Sequence, residues 1–163
     1  MKKLLNKLKI PNEEKLLEFL VTYSRFEYSL KRTGYIKSTN GNAGANWESF
    51  ISQINDKFIP NNTDSLAKAV DYLLKFPAQQ QIIKDGRLDF SEHPSTKKGS
   101  IAFRLFHCIR ITRNNLFHGG KFPYKPAPEL ARNSKLIEYS IIVLKKFVQL
   151  NPEVNGFFWA IEK

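Results

Sequence analysis

The chain predicts an all-α protein, a bundle of four to five main helices with one long central helix. Three observations lead there. Apolar residues recur at i, i+3, i+4 and i+7 over several long stretches, the spacing that lines one face of a helix. Helix starts and stops bracket those stretches, with Asn, Ser or Thr before them and Pro or Gly after. No alternating apolar–polar run is long enough to argue a sheet.

Taken in order, Asn12 after Pro11 is a candidate N-cap. Glu13 and Glu14 follow in the first turn, where the helix dipole favours acids. A long helix is expected from about Glu13 to Tyr35, with Leu16, Leu20, Tyr23 and Leu30 on its apolar stripe and Phe19 and Phe26 widening it. Glu27 falls within that stripe beside Arg25 and Tyr28. A carboxylate there needs a pairing cation or a pocket, because an unpaired buried charge is costly. Ser38 to Asn46 is small, polar and glycine-containing, and reads as a loop. A second helix is expected over Trp47–Phe58, and Pro60–Asp64 reads as a turn ending in a cap. A third helix is expected over Ser65–Phe76, stopped by Pro77. Gln79–Ile83 is ambiguous with a short helix, and Lys84–Leu88 reads as a turn. The central helix would start from a cap at Ser95 or Thr96 and run to His118, about 22 residues or about 33 Å. A final helix spans Ser134–Leu150, ended by Pro152. The tail Gly156–Ile161 is too apolar to dangle, and is expected to dock on the body or on a second subunit.

Composition bounds the function. With 163 residues, 42% hydrophobic and 13% aromatic, the chain suits one domain over 1–163 with a real core. The single cysteine, Cys108, excludes an internal disulfide and a cysteine-based zinc cluster, and suits a reducing, cytoplasmic setting. The basic N-terminus lacks the apolar core of a signal peptide, and no run approaches the length of a membrane span. A net charge of +11 favours polyanionic partners through phosphate contacts and counterion release. No metal-ligand spacing links His93, His107, His118 and Cys108, no nucleophile motif is present, and no cofactor is implied.

The informative stretch is Arg113-Asn-Asn-Leu-Phe-His118-Gly-Gly120 at the end of the central helix. Ile101, Leu105, Cys108, Ile109, Thr112 and Leu116 form a core-facing stripe. Arg104, His107, Arg110, Asn114 and His118 form a second, polar face. Arg110, Asn114 and His118 are successive i+4 neighbours, and His107 lies within about 20° of His118 around the axis. Gly119-Gly120 fits a left-handed C-cap, and Lys121 follows it. Histidine is the side chain suited to acid–base work near neutrality, and arginine to holding a phosphate. Arg113 and His118, five residues apart, diverge by about 140° on an ideal helix. One copy is thus a poor clamp, and two copies facing each other across a symmetric interface would make a better one.

The Arg-x4-His spacing with Asn directly after the Arg resembles the HEPN superfamily, whose name stands for higher eukaryotes and prokaryotes nucleotide-binding. The Ser24-Arg-Phe-Glu-Tyr28 stretch is similar to that of a plasmid and prophage subgroup. The resemblance implies a helical bundle that dimerises through the motif helix. It also implies metal-independent endoribonuclease chemistry, in which the RNA 2′-hydroxyl attacks and a cyclic phosphate is left. His118 would take the acid–base role and Arg113 the phosphate role. Asn114 would orient the histidine or touch RNA, and Arg110, His107, Arg104 and Lys121 would extend the RNA contact. Glu27 and Tyr28 would be accessory. The resemblance also opens a toxin or phage-defence setting, with an antitoxin or regulatory protein as a further partner. One toxin subgroup carries a modifiable tyrosine two residues after the histidine. Gly120 stands there, and Tyr124 is out of register. The rival is a non-catalytic module of the same family type, binding RNA, nucleotide or a partner protein without using the histidine.

Overall fold

The computed structural model describes residues 13–61, 63–118 and 127–160, and it is mostly helical with two small antiparallel hairpins. The described elements run α1 Glu13–Arg32, β1 Ile36–Thr39, β2 Asn42–Ala45, α2 Trp47–Ile54, α3 Asp64–Lys75, β3 Gln79–Lys84 and β4 Arg87–Glu92. They continue with α4 Ile101–Phe117, α5 Ala127–Gln149 and α6 Pro152–Trp159. The all-α expectation is corrected by the two hairpins. Asn12, Gly119, Gly120, Lys121 and Tyr124 lie outside the described residues.

Both hairpins close through two-residue turns in which both central residues have positive φ. These are Asn40 and Gly41 at 51° and 81°, and Asp85 and Gly86 at 51° and 71°. Such turns match the twist of two antiparallel strands, and they favour Asn-Gly or Asp-Gly. The Ser38–Asn46 loop is therefore β1, turn and β2, paired Ile36 to Ala45 through Thr39 to Asn42. Gln79–Ile83 is strand β3, not a helix, and pairs with β4 from Gln79–Glu92 to Lys84–Arg87. Neither hairpin shows alternation because each strand is at most six residues long and none is buried on a full face.

Helix ends follow local chemistry. α1 stops at Arg32 rather than Tyr35 because Gly34, at φ 84°, reverses the chain, and the Tyr35 N–H donates to the Leu30 carbonyl at 2.9 Å. The side chains of Asn46, Thr63 and Asn151 accept backbone N–H bonds at the starts of α2, α3 and α6. α4 begins at Ile101 and not near Ser95, because residues 94–96 form a separate 3-10 turn. Ser100 is its cap, with Oγ accepting from the Phe103 N–H at 3.4 Å.

α4 is the centre of the molecule, touching α2, α3, α5 and β3. Leu105, Cys108, Ile109 and Thr112 of the expected stripe are buried, as are Ala102, Phe106 and Ile111 beside it. Ile101, also expected on the stripe, is exposed. An aromatic layer joins the helices. Phe26 packs edge-on against Trp47 at 4.8 Å, and Trp47 stacks on Phe106 at 5.3 Å. The chain from Pro152 forms α6 against α1 with Val154 and Phe158 buried; of the expected tail, Phe158 docks, Trp159 is exposed, and Ile161 lies outside the described residues. Arg25 of α1 caps that helix, donating to the carbonyls of Phe157 and Phe158 at 2.9 Å each and to that of Ala160.

Candidate functional site

The last turns of α4 and the β3–β4 hairpin enclose a cleft of about 240 Å³. α4 contributes His107, Arg110, Ile111, Asn114, Asn115 and His118, which share one side of the helix by their spacing of three and four residues. Gln80 and Gln81 of β3 and His93 after β4 form the opposite wall. No carboxylate lines the cleft among the described residues, so its fixed charge is the Arg110 guanidinium.

Two hydrogen bonds hold the hairpin over the helix end. Asn115, buried, donates from Nδ2 to the Gln79 carbonyl at 2.7 Å. Gln81 donates from Nε2 to the His118 carbonyl at 3.4 Å. His118 closes α4, its N–H on the Asn114 carbonyl at 2.9 Å, and its side chain is exposed at the cleft mouth. Asn114 is exposed beside it and accepts from Arg113 Nη1 at 3.3 Å.

His107 sits deeper than a solvated basic face implies. Its ring is 4% exposed, wedged against Phe103 at 4.3 Å and Phe106 at 5.2 Å and parallel to His93 at 5.9 Å. Burial pushes its pKa down to about 4, and the charges of Arg110 and His93 act in the same direction. At neutral pH it is therefore an uncharged imidazole.

Arg113 points elsewhere. Its guanidinium lies 4.3 Å from the Phe117 ring centroid and 5.7 Å from that of Tyr23 on α1, outside the cleft walls. Burial raises the Tyr23 hydroxyl well above its usual range. Glu27 adds to that shift, while Arg113 and Arg110 oppose it. Glu27 is half-buried and makes no ion pair among the described residues, so the expected salt bridge is not formed there. Tyr28 lies under the Arg25 guanidinium at 5.1 Å, on the α6 side of α1. Arg104 is tied back to the Thr96 carbonyl through Nε at 2.9 Å.

The structure thus gathers His107, Arg110, Asn114 and His118 in one cleft and leaves Arg113, Arg104, Glu27 and Tyr28 outside it. Sequence reasoning missed Gln80, Gln81, His93 and Asn115 as neighbours of the motif. The Asp85-Gly86 turn was the available signal, since a hairpin there brings both strands back together. Cys108 is buried, its Sγ accepting the Ala78 N–H at 3.2 Å, which suits a structural thiol. No group of three or more His, Cys, Asp or Glu side chains is arranged to hold a metal ion among the described residues. No protein-family model, no curated protein and no solved structure matches this chain.

Proposed function

We propose that this protein is a cytoplasmic, metal-independent endoribonuclease of HEPN type, with a site completed at a homodimer interface. The observation that supports it most is the cleft itself. Arg110, Asn114 and an exposed His118 converge at one helix end, and no carboxylate among the described residues faces them. An anionic phosphodiester is the complement of that set, and a net charge of +11 draws RNA toward it.

In the proposed reaction the RNA 2′-hydroxyl attacks phosphorus, the 2′-O–P bond forms and the P–O5′ bond breaks. His118 of one copy takes the 2′-hydroxyl proton as general base. A histidinium, supplied by the second copy, gives a proton to the leaving 5′-oxygen. The products carry a 2′,3′-cyclic phosphate and a 5′-hydroxyl. Such proton transfers contribute about 10²–10⁴ in rate. Arg110 and Arg113 neutralise the developing charge on the phosphoryl oxygens. Arg113 lies away from its own cleft, beside the exposed Phe117, which suits a role toward the other copy's site across a seam at the ends of α4.

One observation favours a second reading. Arg113 is already engaged with two aromatic rings, as in a structural cation–π contact, and a module that binds RNA without cutting it needs only the cleft. The experiment is incubation with a mixed RNA ladder in excess EDTA, beside His118→Ala and Arg113→Ala, with analysis of the 3′ ends. Cleavage to cyclic phosphate, lost in both variants and tracking the dimer in sedimentation, is expected. RNA bound but uncut by all three proteins overturns the ribonuclease in favour of the binding module. Full activity in a monomer overturns the composite site. A toxin or phage-defence role, with an antitoxin or regulatory protein as partner, belongs to the same proposal.

A further inference from the structure

The deep end of the cleft holds chemistry that phosphodiester cleavage does not require. His107 is 4% exposed, yet neither ring nitrogen has a hydrogen-bond partner among the described residues. A buried polar group in that condition opposes folding, and folded proteins keep few of them. The ring is held by shape alone, edge-on to Phe103 and Phe106 at interplanar angles of 60° and 63°. A neutral imidazole offers one donor and one acceptor.

The neighbouring groups are of the same two-sided kind. Gln80 and Gln81 carry an amide donor and an amide acceptor each, and both are half-buried on the facing strand. His93 accepts the Ser95 N–H through Nδ1 at 3.1 Å, which leaves its ring proton on Nε2 as a donor. A set of paired donors and acceptors beside flat rings is the complement of a nucleobase edge, and single-stranded RNA presents such edges freely. The cleft's volume of about 240 Å³ falls below the size of pockets that hold drug-sized ligands, about 300 Å³ and above. It has room for one nucleobase, with the sugar and phosphate left toward its open side.

We infer that this cleft takes the base of one unstacked ribonucleotide, its edge read by Gln80 and Gln81 and by the His107 nitrogens, which are closed to water until the base enters, and its phosphate held by Arg110. The inference rests on the proposed RNA reading of the same cleft, and it makes these residues the determinants of which base is accepted there.

The test titrates the full chain with the four 3′-ribonucleoside monophosphates, with ribose 5-phosphate and with inorganic phosphate, using calorimetry. His107→Phe keeps a flat ring and removes its polar edge. Gln80→Ala alters the facing wall from a surface strand, so it serves if His107→Phe does not fold. Wild type is expected to bind one nucleotide at least about tenfold more tightly than ribose 5-phosphate and than its least favoured base, the scale of one or two hydrogen bonds. Each folded variant is expected to bring the four bases to within about threefold of one another, while binding of inorganic phosphate is retained. The inference is overturned if wild type binds all six probes alike or none of them, or if the base preference survives in the folded variants. Base-selective binding without RNA cleavage in EDTA would leave this pocket standing and remove the ribonuclease, so the two failures are distinguishable.

Discussion

His107 carries a cost that depends on pH. Its folded-state pKa is about 4, against 6.5 for an ordinary histidine, so the unfolded chain binds the extra proton first. The stability associated with the neutral ring is fully present above pH 6.5 and is lost as the pH falls toward 4. A shift of that size corresponds to about 3 kcal/mol. Urea midpoints measured at pH 7 and pH 4.5 should therefore fall further for wild type than for His107→Phe, which has no proton to gain there. Parallel curves for the two proteins would show that His107 is not the titrating group. The residues of the motif were legible at this scale only as a face. The i+4 ladder of Arg110, Asn114 and His118 follows from helix geometry, and the cleft contains all three. That His93 closes the wall over His107, opposite Phe103 and Phe106 of its own helix, depends on where residue 93 arrives in space, which no local spacing encodes.

At the level of elements, the β3–β4 hairpin is the part of the site that depends most on its neighbours. An isolated two-stranded ribbon is marginal in water. This one is anchored to α4 through the Asn115–Gln79 and Gln81–His118 hydrogen bonds. Asn115→Ala removes the buried donor and leaves the Gln79 carbonyl without it, at an expected cost of about 1–2 kcal/mol. The loss should be local, with amide exchange accelerated across residues 79–92 and unchanged in α1 and α5. Uniform acceleration would mean that the anchor supports the whole fold rather than the ribbon. The helices were legible because each repeats one rule over many residues, and the start of α3 because Thr63 lies in the expected capping turn, whereas Gly34 ends α1 short of the expected Tyr35 and Asn151 opens a helix where only a docked tail was expected. The ribbons were not, although Asn40-Gly41 and Asp85-Gly86 stood in plain view. Two residues fix each turn, while strands of four to six residues, one of them opening Gln-Gln-Gln, give too little alternation to declare a sheet.

No helix among the described residues is long and apolar enough to cross a membrane. The core is made by α1, α4 and α5 with the aromatic layer from α2 and α6. Arg25 ties residues 157, 158 and 160 to the first described helix. Glu18 of α1 bridges to Lys145 of α5 at 2.7 Å, and this pair with Lys15 holds the Glu18 carboxyl below its usual range. The pair is partly exposed, so it adds little to stability.

Cys108 lies beneath the start of the ribbon, its sulfur occupied by the Ala78 N–H, and it is the only thiol in the chain. The protein therefore contains its own reporter of how often the site breathes. A small thiol reagent can reach that sulfur only when the segment around Ala78 lifts from α4, so labelling speed measures the population of open molecules. An occupied cleft should slow the labelling in proportion to its occupancy. Asn115→Ala should hasten it, and Arg25→Met, which loosens the far end of the bundle, should leave it unchanged. No dye, tag or engineered handle is required to follow the site at work.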